Sequence, residues 1–210
     1  MRKIISILVP LLFSIAAQAT PISSGSSSNN YYSSNVSIGN VQKNNDVLFI
    51  YSSYGKSDSQ VSSYAGLNNN DFNSISTGTV KSGSAYQNTV AVETGSVFSF
   101  DWLWFSTEYS NSVYNDFAFV NLSLGGLNLI ADTSTPDYTT GNFSWTADQS
   151  GLLTYTIGAL NVNDYKQYSK LLVNNIAVTE AVSIPGPASL GIFAVALFGF
   201  VISRRKTKIS

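Results

Sequence analysis

The stretch SVFSFDWLWF, residues 96 to 105, places Phe98, Phe100, Trp102 and Trp104 on every second position, with Ser99, Asp101 and Leu103 between them. A helix would scatter those rings around its axis. A pleated strand puts them all on one face, so this period of two predicts a strand buried on one side. The same β-type composition recurs in DVLFIY (46 to 51), TVAVE (89 to 93), NDFAFVNLSL (115 to 124), LNLIA (127 to 131), GNFSWT (141 to 146), GLLTYTIGAL (151 to 160) and SKLLVNNIAV (169 to 178). Turn-forming groups such as Thr94-Gly95, Gly125-Gly126 and Pro136-Asp137 separate these runs. About eight short strands with polar turns predict an all-β fold, a single antiparallel β-sandwich or jelly roll over residues 46–182. Residues 20–45 are rich in Ser and Asn and read as a flexible lead or a first strand. Residues 52–88 carry only isolated apolar positions and read as short strands and long loops.

The chain has no cysteine and no histidine. Disulfides therefore contribute nothing to its stability, and neither a Ser-His-Asp triad, a Cys-His dyad nor a zinc hydrolase centre can be assembled from it. Between Thr20 and Pro187 five lysines face twelve acids, a formal charge of −7. Phosphate backbones would be repelled, which excludes nucleic acid as a partner.

The stretch densest in chemistry is FSFDWLWFSTEYSNSVYNDFAFVNL, residues 98 to 122. One reading is structural: the rings fill a core and the polar residues make turns. A second is a calcium site, since a hard cation takes six to eight oxygens. Its ligands would be Glu108, Asn115 and Asp116, with Asp101 a fourth if its strand phase turns it toward the loop. A third pairs Asp101 with Glu108 or Asp116 as the acid and base of a glycosidase. A fourth is carbohydrate binding without catalysis, for which Tyr31, Tyr32, Tyr51, Tyr54, Tyr64, Tyr109, Tyr114 and Trp145 offer rings. No catalytic residue is assigned, and the chain is expected not to be an enzyme.

Both ends carry targeting features. Arg2 and Lys3 precede an apolar run from Ile4 to Ala17, followed by Ala17, Gln18 and Ala19, the layout of a secretory signal peptide (residues 1–19) cleaved after Ala19. Residues 183–210 join Ile184, Pro185, Gly186 and Pro187 to an uncharged run from Ala188 to Ser203, then to Arg204, Arg205, Lys206 and Lys208. As a helix, residues 188–203 would span ~24 Å, short of the ~30 Å hydrocarbon core but within reach of snorkelling arginines. The cations set that end in the cytoplasm.

This tail resembles the PEP-CTERM sorting signal of bacterial envelope proteins, a Pro-containing motif, an apolar helix and an Arg-rich end. The family's Val-Pro-Glu-Pro corresponds here to Ile184, Pro185, Gly186 and Pro187, followed by Ala188 and Ser189, with Gly186 in place of the glutamate. The resemblance implies recognition by an exosortase, a membrane-embedded cysteine protease, and removal of the helix near Pro185 to Pro187. The body would be held in the inner membrane only transiently, then pass to the cell surface or an extracellular polysaccharide (biofilm) matrix. FSFDWLWFSTEY, YNDFAFVNL and YSKLLVNNIAV also resemble strands of lectin-like or adhesin-like β-sandwich domains on such surface proteins, with Asn174 where an Asp is usual.

Overall fold

The computed structural model of the chain describes residues 37–108, 113–166 and 168–181. The signal segment with Ala17 and Ala19, the tail from Pro185, Gly186, Pro187 and Ala188 to Arg204 and Arg205, and Tyr31, Tyr32 and Tyr109 lie outside these residues. Among the described residues no helix is long and apolar enough to cross a membrane.

The expected all-β architecture is present as two antiparallel sheets. The first takes the order β1 (Ser37–Ile38), β5 (Val80–Val92), β10 (Gly151–Val162), β7 (Phe117–Leu122) and β8 (Gly126–Asp132), with β4 (Lys56–Ser57) also pairing with β5. The second takes the order β2 (Val41–Asn44), β3 (Val47–Tyr51), β11 (Ser169–Thr179), β6 (Val97–Ser106) and β9 (Thr139–Thr146). From β5 onward the chain changes sheet at almost every connection, so each sheet receives strands distant in sequence.

Period-two patterning fixes which side of β6 faces inward. Phe98, Phe100 and Trp104 are fully buried and meet Leu48, Ile50, Leu171 and Val173 of their own sheet and Val120, Leu153, Tyr155 and Ile157 of the other. The Phe98 and Tyr155 rings bridge the sheets at 4.7 Å between centroids.

A second core lies on the other side of the first sheet. Val61 and Ala65, from α1 (Asp58–Tyr64) and its C-cap, and Phe72, from a 3-10 turn at Asp71–Ser74, cover Ala85, Phe117, Phe119, Leu160 and Val162. The Phe72 ring packs tilted against that of Phe119, 4.7 Å between centroids, and burying a ring of this size contributes about 1.5–3 kcal/mol. Gly158 makes room for it: a Cβ there would meet Phe119 Cε1 at 2.3 Å. Both faces of the first sheet are therefore covered, whereas among the described residues the second sheet has cover on its inner face only.

One long strand departs from the sequence reading. Residues 80–92 form the longest strand, not a loop leading to residue 89, because a strand covered on both faces shows no alternation. β1 and β2, starting at Ser37 and Val41, lie inside the stretch read as a lead or first strand.

Candidate functional site

The outer face of the five-stranded sheet is built by strand register. Leu172 lies between Phe49 and Leu103, and the neighbouring row sets Lys170 between Tyr51 and Phe105. Cross-strand partners project on the same side, so these residues form a continuous strip opposite the buried Leu48, Ile50, Trp104, Leu171 and Val173. All six are only half-buried. Lys170 Nζ sits 5.9 Å from the Phe49 ring centroid and 5.8 Å from that of Tyr51, within cation–π range of both. On the far side of the strip Phe105 packs 5.2 Å from Tyr138 and 6.2 Å from Tyr168. Tyr138 is 70% exposed and Tyr168 42%.

A polar border follows one row further along. Asp101 pairs in register with Asn174 on one side and Asn142 on the other. A bulge between Asn174 and Ala177 turns Asn175 into the left-handed region at φ 52°, the conformation asparagine tolerates best after glycine. Asn175 Nδ2 then donates to Asp101 Oδ2 at 2.8 Å, and Asn142 Nδ2 donates to Oδ1 at 2.9 Å. These two hydrogen bonds, that from Asn175 first, hold the Asp101 carboxyl below the usual carboxylate range. Rings, a cation, a fixed carboxylate and exposed amides thus share one open sheet face. Such a surface can stack on the C–H side of a flat ligand while bonding hydroxyls at its edge.

The residues singled out in residues 98 to 122 do not gather there. Asp101 is on this outer face, whereas Asp116 is fully buried on the inner side. Asp116 Oδ2 accepts from Ser52 Oγ and Ser169 Oγ, both at 2.9 Å, and Oδ1 accepts from the Val162 N–H at 3.1 Å. It therefore ties Val162 of one sheet to Ser52 and Ser169 at the edge of the other. Burial pushes its carboxyl up to about 6, outweighing the opposing pull of Ser169, Val162 and Ser52.

Asn115 Nδ2 donates to Thr77 Oγ1 at 3.1 Å, and its Oδ1 accepts from the Thr133 N–H at 3.1 Å and from the Thr133 hydroxyl. The Glu108 N–H donates to Ser106 Oγ at 3.1 Å. Among the described residues no three His, Cys, Asp or Glu side chains are grouped to hold a metal ion. Asp101 and Asp116 lie on opposite sides of the sheet and share no cleft.

Of the tyrosines named from sequence, Tyr51 belongs to the strip, while Tyr54 stands 93% exposed elsewhere. Tyr64 is half-buried, its hydroxyl pushed up to about 12 by burial, and Trp145 packs at the edge of the inner core. Sequence reading missed Phe49, Phe105, Tyr138, Tyr168, Leu172 and Lys170. The available signal was a second apolar phase: DVLFIY carries Leu48 and Ile50 on one side and Val47, Phe49 and Tyr51 on the other. A strand apolar in both phases, on a sheet covered on one side, presents its second phase to solvent.

No protein-family model matches the sequence, and no curated protein matches it. Among solved structures the chain is similar to the carbohydrate-binding module TmCBM61 in complex with β-1,4-galactotriose, at 12% identity and a TM-score of 0.31, covering 47% of this chain and 63% of that one. It is similar also to the N-terminal cellulose-binding domain from Cellulomonas fimi β-1,4-glucanase C, at 12% identity and a TM-score of 0.32, covering 71% and 90%. A third is a family 16 carbohydrate-binding module, at 15% identity and a TM-score of 0.27, covering 48% and 77%.

Proposed function

We propose that this chain is an exported, non-enzymatic glycan-binding protein of the cell surface or extracellular polysaccharide matrix, and that an exosortase processes its tail. The observation that carries the binding role is the open strip of Phe49, Tyr51, Leu103, Phe105, Tyr138, Tyr168, Lys170 and Leu172. A protein partner would favour a drier aliphatic patch with few charges at its centre. Here a lysine stands between the rings and amides and a carboxylate line the border, the mixture that suits a pyranose with an apolar face and a hydroxyl rim.

Binding is tested by co-sedimentation of the full-length chain with insoluble cellulose, chitin and the host's own extracellular polysaccharide. The chain is expected in the pellet with at least one of them; recovery in every supernatant would overturn the reading. Sorting is tested separately by intact-mass measurement of the protein from its native host. Mature protein ending near Pro187 supports exosortase processing, while a mass that includes Arg204 and Arg205 indicates a permanently anchored single-pass protein.

A further inference from the structure

A cleft of ≈ 350 Å³ opens at the edge of the first sheet, lined by Tyr54, Gly55, Ser57, Lys81, Ser82 and Tyr165. Its size falls at the lower end of the ~300–1,000 Å³ typical of small-molecule sites. Tyr54 and Tyr165, 93% and 73% exposed, are the two most exposed large aromatics among the described residues.

The backbone holds Tyr54 outward. It adopts a left-handed φ of 55°, uncommon for a side chain of this bulk. The next residue is pressed onto β5, since a Cβ at Gly55 would meet the Gly83 carbonyl oxygen at 2.1 Å. Strain retained to display a ring in water calls for a reason outside the fold.

Charge narrows the ligand. Lys81 is the one cation in the lining of the cleft. The acids adjoining the lining are Asp58, whose Oδ1 accepts from Ser62 Oγ at 3.0 Å, and Asp164, whose Oδ1 accepts from the Lys166 N–H at 3.0 Å. The described lining holds this one cation and no acid, within a region of formal charge −7.

We infer that this cleft is a second saccharide site, selective for a uronate unit: the Tyr54 and Tyr165 rings flank the sugar, Lys81 pairs with its carboxylate, and Ser57 and Ser82 bond its hydroxyls. The site is separate from the sheet face and does not depend on it. It would let an acidic domain hold an anionic matrix chain that its overall charge repels.

The test is calorimetric titration of the full-length chain, in mild detergent, with oligogalacturonate, oligomannuronate and oligoglucuronate, each beside its carboxyl-reduced neutral counterpart. At least one uronate is expected to bind, its neutral counterpart about tenfold more weakly. Lys81→Gln should weaken the uronate to a similar extent and flatten its salt dependence, and Tyr165→Ala should weaken both members of the pair. Phe105→Ala, on the sheet face, should leave uronate affinity unchanged. The inference is overturned if no uronate binds, if the neutral counterpart binds equally, if Lys81→Gln and Tyr165→Ala have no effect, or if Phe105→Ala abolishes binding.

Discussion

Replacing Asp116 by asparagine removes the one carboxylate buried among the described residues, and the consequence has a sign. In the folded chain its carboxyl titrates at about 6, against 3.8 for the ordinary group. Between those values the folded state binds a proton that the unfolded state releases, so folding is favoured by acid. The contribution of Asp116 to stability is greatest below pH ~4 and is lost as pH rises through about 6. A difference of about two units is worth about 3 kcal/mol.

Asparagine keeps an acceptor for the Val162 N–H and does not titrate, so subtracting its stability from that of the wild type isolates this one group. Other carboxylates, including Asp101 with its lowered range, cancel in the difference. Urea unfolding followed by tryptophan fluorescence, with Trp104 fully buried as the reporter, should be run on both proteins at intervals from pH 4 to 7. The wild type is expected to gain about 2 to 2.5 kcal/mol relative to Asp116→Asn on going from pH 7 to pH 4. Parallel curves would refute the reasoning, as would a wild type that loses ground in acid. The latter result would mean that the donors from Ser52, Ser169 and Val162 outweigh burial.

Gly158→Ala is expected to cost about 1–3 kcal/mol in the same unfolding assay, because the added methyl meets the Phe119 ring and the second core must shift; an unchanged midpoint would contradict that packing. The calcium site expected from Glu108, Asn115 and Asp116 is tested by chelation. The oxygens of Asn115 and Asp116 already accept from protein donors, so EDTA is expected to leave Tm unchanged, and a drop of several degrees would restore the site.

Strands with one apolar phase were legible in the sequence: β6 shows its buried Phe98, Phe100 and Trp104 directly. β5 was not, because Ser82, Gly83 and Ser84 are small where side chains from two cores crowd in, and a Cβ at Gly83 would meet Leu160 Cδ2 at 2.1 Å. Smallness imposed by neighbours leaves no periodic trace. Asp116 looked like a surface ligand because Asn-Asp precedes a strand, and only the packing of Ser52 and Ser169 over it, from positions 64 and 53 residues away, makes it internal. The open strip was half visible in DVLFIY, but Tyr138 and Tyr168 join Phe105 only through cross-strand and loop contacts that no local pattern encodes.

The role of the sheet face is tested most directly by the paired variant Tyr51→Ser, Phe105→Ser. Both side chains lie on the outer face and contribute no atoms to the inner core, so thermal unfolding should remain cooperative. Affinity electrophoresis of the full-length chain through gels containing soluble cellulose derivatives, galactan or the host's extracellular polysaccharide is expected to retard the wild type in at least one gel and to release the variant. Equal retardation of a folded variant, or free migration of the wild type in every gel, would contradict glycan binding on this face.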